Sequence, residues 1–244
     1  MCVETVCETP PSWMREGTYA EYTFESNLIW FLNGTLFRFQ DYAQTIFRWE
    51  CVELNETYAI LNVTITYIEN ERIIRFSDNI RVELSTRKVL DSDGIPVGRT
   101  QLWLPLYPNV GDTYIMFDDP LLVGEVTEVG AGWSGTPQGA QNIFIVEGYG
   151  AIGGWWSVFS GFYDIDTGVG IDLSLRYEPL LVALGISDAG RSGLIYFTDT
   201  NINLGPRNIF PEFFFALLYS SPVLVFLVIF ILIHRRRKRK AYKK

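Results

Sequence analysis

The sequence predicts an all-β protein: a large curved or partly closed antiparallel meander, a barrel or half-barrel, followed by one C-terminal transmembrane helix. Three observations carry this. From Gly17 to Leu204, β-branched and aromatic residues alternate with polar ones in short stretches cut by Gly, Asp and Asn. No segment of that region repeats its apolar residues at the helical period over a convincing length. The run FFFALLYSSPVLVFLVIFILI, Phe213 to Ile233, then carries no charge over a length that spans roughly 30 Å as a helix.

The strands follow in order. GTYAEYTF (Gly17 to Phe24), TLFRFQ, QTIFRWECVEL and TYAILNVTITYIE take the chain to Glu69. In the last of these, Ala59, Leu61, Val63, Ile65 and Tyr67 share one face while Asn62, Thr64 and Thr66 share the other, so one face packs and the other is wet. NIRVELSTRKVL runs into Asp91-Ser92-Asp93-Gly94 and VGRTQLWLP, a hairpin with an Asp-Gly turn ended by Pro105 and Pro108. After Asn109 to Asp112 come TYIMF and PLLVGEVTEV, and a Gly-rich stretch, Gly130 to Gly139, separates them from QNIFIVEG. A division into two domains at that stretch stays open. Trp156 to Tyr163 pairs with Val169 to Tyr177 across Asp164 to Gly168, and EPLLVALGIS (Glu178 to Ser187) is a strand or a short helix across a barrel mouth. GLIYFTDTNINL is the final strand. Ten or more short strands in sequence order point to one curved antiparallel sheet rather than a βαβ arrangement.

Charge and spacing give the domain plan: a loose N-terminal segment (1–16), an outer β domain (17–204), a stalk (205–212), the membrane helix (213–233) and a tail (234–244). Eight of the 20 basic residues lie in the last ten positions, leaving Met1 to Ile233 with 12 basic against 28 acidic residues. Clustered Lys and Arg directly after an apolar span stay on the cytoplasmic side, which places the β domain outside the cell and the bilayer among the partners. So acidic an exterior disfavours nucleic acid. MCVETVCETPPSW has no apolar core, so a signal peptide is expected to have been removed or to lie upstream, with insertion from the C-terminal end as the alternative. Asn33, Asn55 and Asn62 each open an Asn-x-Thr triplet, the acceptor pattern for glycosylation. Of Cys2, Cys7 and Cys51, the pairing expected is Cys7 with Cys51, which ties the loose start to a strand.

The strand G-T-Y-x-x-Y-T-F, the stretch DSDGIPVGRTQLWLP, the GDT after it and the hairpin Y-D-I-D-T-G together resemble a pattern in uncharacterised single-pass surface proteins of archaea. The arrangement also resembles the curved sheet of bacterial lipoprotein carriers, which implies a concave face for an apolar ligand. It supplies no catalytic residue to transfer.

The chemistry available is narrow. The single His is His234, after the span, so the outer domain has no Ser-His-Asp or Cys-His machinery and no usual zinc set. No metal and no cofactor are expected. Paired acids at Asp91 and Asp93, Asp118 and Asp119, and Asp164 and Asp166 could serve a glycan hydrolase, but two of the pairs fall in turns beside Gly, where Asp caps the local backbone. Trp133, Tyr149, Trp155 and Trp156 form a candidate aromatic platform for a carbohydrate or a lipid tail, or else the core of a bent strand. The expectation is a non-enzymatic membrane-anchored surface protein whose β domain binds an apolar small molecule or an envelope protein. A structural anchor for a surface layer or appendage, and an extracellular carboxylate-dependent glycan hydrolase, are the alternatives.

Overall fold

In the computed structural model the described residues are 11–118, 121–152, 155–173, 175 and 178–205, with backbone alone at 117, 133–135, 140, 149–152, 155–159 and 191–194. They belong to one unit, Met1–Arg207. The strands are β1 (Tyr19–Phe31), β2 (Leu36–Leu54), β3 (Tyr58–Glu69), β4 (Arg72–Glu83), β5 (Lys88–Leu90), β6 (Pro96–Arg99), β7 (Thr113–Asp118), β8 (Leu121–Thr136), β9 (Gly139–Ile152), β10 (Trp155–Asp164), β11 (Gly170–Asp172), β12 (Ile186–Asp188) and β13 (Arg191–Thr200). A short helix, α1 (Pro179–Ala183), precedes β12. The protein is all-β, as its alternating pattern predicts, and built on a curled antiparallel half-barrel.

The strands divide between two sheets, a correction to the single sheet expected. An 8-stranded sheet runs β12-β1-β2-β3-β4-β5-β6 with β13 also on β1, and a 5-stranded sheet runs β11-β10-β9-β8-β7. The break falls between β6 and β7 because Pro105 and Pro108 lie in the link and proline cannot donate to a ladder. The expected strand VGRTQLWLP therefore ends at Arg99, and Trp103 makes only an isolated bridge to Val169. Gly130 to Gly139 is not a domain boundary: β8 runs through it to Thr136 and turns straight into β9. TLFRFQ and QTIFRWECVEL are one strand, β2, which keeps pairing with β1 across a register shift between Ser26 and Leu28. Glu69 holds the inner side of that irregularity, its carboxylate accepting the backbone N–H groups of Gln40 and Asp41.

Both expected hairpins form. β5 pairs with β6 across Asp91 to Gly94, and β10 with β11 across Ile165 to Val169, although β11 is shorter than the Val169 to Tyr177 strand expected. Glu178 to Ser187 contains both candidate structures, α1 and then β12. Pro179 suits the helix start, where its missing N–H would have had no partner.

Among the described residues no helix is long and apolar enough to cross a membrane. The span at Phe213 to Ile233, the basic tail, and Cys2 and Cys7 lie outside the described residues.

Candidate functional site

The alternation in β3 places Ala59, Leu61, Val63, Ile65 and Tyr67 inward, all fully buried, and the same rule fills the rest of the concave face. Aromatic rings dominate it. Trp49 of β2 packs against Trp13 at 6.1 Å and Trp103 at 6.3 Å between centroids, while Trp13 and Trp103 meet at 6.3 Å. Tyr22 lies between Phe47 at 6.1 Å and Phe197 at 5.1 Å, and Phe144 stacks on Tyr163 at 5.2 Å. Hydrogen bonds tie the layers: the Tyr22 hydroxyl donates to Gly170 O at 2.7 Å and the Trp13 indole to Thr167 O at 2.6 Å.

A polar centre sits within this core. Arg87, held in the left-handed region at φ 57°, donates to Thr100 O at 3.0 Å and Ile115 O at 3.2 Å. Glu178 accepts the Gln101 N–H at 3.1 Å. Burial pushes the Glu178 carboxyl up to about 7, against the pull of the Thr100 hydroxyl, the Gln101 and Leu180 N–H groups and the Arg87 guanidinium. Burial raises the Tyr22 and Tyr163 hydroxyls as well, with the Glu178 charge adding to both. The side-chain amide of Gln101, one Glu178 oxygen and the Tyr163 hydroxyl have no hydrogen-bond partner among the described residues. Arg87, Gln101, Glu178 and Tyr163 thus form a buried polar cluster within the apolar core.

The paired acids are occupied locally. Asp91 accepts the backbone N–H groups of Asp93 at 3.0 Å and Ile95 at 2.8 Å, the turn-capping role of that residue type. Asp164 is buried and accepts the Thr167 N–H at 2.9 Å and hydroxyl at 2.6 Å; burial raises its carboxyl too. Asp118 pairs with Arg99 at 3.0 Å, and Asp119 lies outside the described residues. Among the described residues no group of three or more His, Cys, Asp or Glu is placed to hold a metal ion.

Of the proposed aromatic platform the strand positions are placed: Trp133 in β8 opposite Gln141, Tyr149 in β9 opposite Val158, Trp155 and Trp156 in β10 opposite Ile152 and Ala151. The side chains of these four lie outside the described residues. Asn33 and Asn55 stand at exposed turns, each with its Oδ1 accepting the N–H of the triplet's Thr, at 2.9 Å for Thr35 and 2.8 Å for Thr57. Asn62 lies in β3, where its Nδ2 donates to Asn79 Oδ1 at 2.9 Å. Cys51 is a buried thiol with no disulfide partner among the described residues; its Sγ lies 3.5 Å from Glu53 O.

Outside the sheet, a groove of about 440 Å³ opens where β3 and β4 meet the β5 hairpin, lined by Ile60, Asn79, Arg81, Leu90 and Asp91 to Gly94. The Arg81 guanidinium lies 4.7 Å over the Tyr58 ring, whose hydroxyl donates to Glu53 at 3.1 Å. Sequence reasoning passes over this site, since Arg81 is one of many strand arginines until the register sets it beside Asn79 and the Asp91 turn. A second groove, of about 580 Å³, runs between Ser12, Trp13, Asp166, Thr167 and Asn203 to Gly205. Comparison of the chain with family models, with curated proteins and with solved structures finds no match.

Proposed function

We propose that the chain is a non-enzymatic, membrane-anchored surface protein whose β domain engages an envelope protein from its outer side, at β3, β4 and β5. The observation that carries this is the filling of the concave face. Tyr22, Phe47 and Trp49 on that face are buried in one core with Trp103 of the link and Phe144 and Tyr163 of the second sheet, which favours a protein partner over an apolar ligand held inside. A groove is open on the polar outer side, beside Arg81 and Asn79. The occupied carboxylates at Asp91 and Asp164 weigh against a pair facing a sugar-sized gap. The apolar run and basic tail support the anchor and the topology.

Lysine usage gives the topology a direct test, because Lys88 is the one Lys before the span and Lys238, Lys240, Lys243 and Lys244 follow it. A membrane-impermeant amine reagent on intact cells is expected to modify Lys88 and spare the tail. Tail modification with Lys88 spared would invert the assignment. For the ligand, native mass spectrometry of the full-length chain released from detergent micelles should give the chain mass plus any sugar on Asn33, Asn55 or Asn62. A reproducible lipid-sized excess lost on denaturation would replace the protein partner with an apolar ligand.

A further inference from the structure

β4 is paired on one side only for most of its length. Toward β3 the register runs unbroken from Tyr58↔Glu83 to Glu69↔Arg72, while β5 meets only Arg81 and Val82. The two-residue turn Asn70-Glu71 makes Glu69 and Arg72 a hydrogen-bonded pair, because the residues flanking such a turn exchange both bonds. Bonding alternates from there, so Arg72, Ile74, Phe76 and Asp78 turn their backbone groups to β3, and Ile73, Arg75 and Ser77 turn theirs outward. The Asp78 carboxylate accepts the outward N–H of Asn79 at 2.7 Å and closes the open run there. Among the described residues nothing pairs with Ile73, Arg75 or Ser77 on that side, and all three are exposed, Ile73 to 65%.

The two faces of this edge differ in chemistry. On the inner face Ile74 and Phe76 are half-buried, and Phe76 meets Phe31 at 5.5 Å and Tyr67 at 6.4 Å, so an added strand would find an apolar floor. On the outer face Arg75 is held by a bond from its Nε to Thr66 Oγ1 at 3.2 Å, and Arg81 follows further along. Neither arginine has a carboxylate within ion-pair distance among the described residues. From Ile73 to Arg81 the outward side chains of β4 include Arg75 and Arg81 and no acid, Asp78 lying on the other face and Asp91 and Asp93 beside Arg81 across the groove, in a region with 12 basic against 28 acidic residues. Long bare edges are ordinarily covered, shortened or broken by bulges, and one with an apolar floor and an arginine on its outer face is suited to strand addition.

We infer that the Ile73 to Ser77 edge takes an extended segment of a partner protein in which acidic residues alternate with apolar ones. The acidic side chains face Arg75 and the apolar ones lie over Ile74 and Phe76. This rests on the reading of the β domain as a module for a protein partner, and it names the site and the chemistry.

The test titrates the full-length chain, in detergent micelles, with a capped peptide alternating Glu and Val, and with the same peptide carrying Lys for Glu. Amide hydrogen exchange at Ile73, Arg75 and Ser77 is read by NMR. The Glu peptide is expected to slow these amides roughly tenfold or more, and the Lys peptide to leave them unchanged. Ser77→Pro removes an outward N–H without touching the β3 ladder and should abolish the effect; Ser77→Ala, which loses only the hydroxyl contact to Thr64 at 2.8 Å, should keep it. Arg75→Glu should transfer the preference to the Lys peptide, and it keeps the test decisive if the Pro variant does not fold. No protection, equal protection by both peptides, or protection that grows with protein concentration alone would overturn the inference, the last by assigning the edge to a second copy. The lysine-labelling experiment is independent, so a failure of the topology is seen separately from a failure of the edge.

Discussion

Replacing Glu178 with Gln should make the protein more stable at neutral pH and remove most of its pH dependence below that. The side chain is fully buried just before α1, and burial raises its carboxyl from 4.5 to about 7. The native state therefore holds a proton between those values that the unfolded chain has already released. Its stability is greatest below about 4.5 and falls as pH rises through 7. With about 1.4 kcal/mol per pH unit, the full loss is about 3 kcal/mol. Gln cannot ionise, and its amide oxygen can still accept the Gln101 N–H. Glu178→Gln should match the parent near pH 4 and exceed it by about 3 kcal/mol at pH 8, a gap in Tm of roughly 6–12 °C for a domain of this size. Thermal unfolding by circular dichroism across a pH series reads this directly. A slope shared by both proteins belongs to Asp164, which burial raises in the same direction. A variant less stable than the parent at every pH, by about 3–5 kcal/mol, would refute the reasoning. It would mean that the carboxylate is ionised and paired with Arg87.

Glycine gives a second test, by contrast. Gly168 has φ +71° and a Cβ there would sit 2.1 Å from Leu104 O, so Gly168→Ala should cost about 3 kcal/mol or more in denaturant unfolding; Gly185, at φ +81° with open space around it, should cost only about 1 kcal/mol. Burial, and secondarily the Glu16 charge, pushes the Cys51 thiol up to about 11, so a thiol reagent at neutral pH should label it after reduction only in denaturant; labelling of the folded, reduced protein would contradict its burial. Peptide mapping of the native glycoprotein should find sugar on Asn33 and Asn55, whose turns are exposed, ahead of Asn62, whose Nδ2 is bonded to Asn79. Equal occupancy at all three would show that modification precedes folding.

The sequence was most legible where one physical rule acts alone. Ala59 to Tyr67 alternate because one face of β3 is packed and the other wet, and that sufficed to place five core residues. Asp91 to Gly94 could be placed because an Asp-Gly turn has few alternatives. The rule failed from Thr100 to Leu104, where Leu102, Trp103 and Leu104 are all buried: the segment runs inside the core with both faces covered, and a period of two has no meaning there. Glu178 and Arg87 escaped for another reason. Charged residues next to Pro179 and within a hairpin are expected in water, and only the approach of the Gln101 N–H and of the Thr100 and Ile115 carbonyls makes their burial tolerable.

The open edge of β4 was illegible because it depends on a mismatch between neighbours rather than on any residue of the strand. β4 has 12 residues and β5 has 3, so β5 covers the end at Arg81 and Val82 and leaves the rest bare. Had Lys88 to Arg99 formed a hairpin as long as β3 with β4, it would have covered Arg75 and Phe76 and removed the free ladder. The proposed site for a partner strand thus lies at the rim of the curled sheet, where open backbone groups, the half-buried Phe76 and the Arg75 side chain meet on one strand.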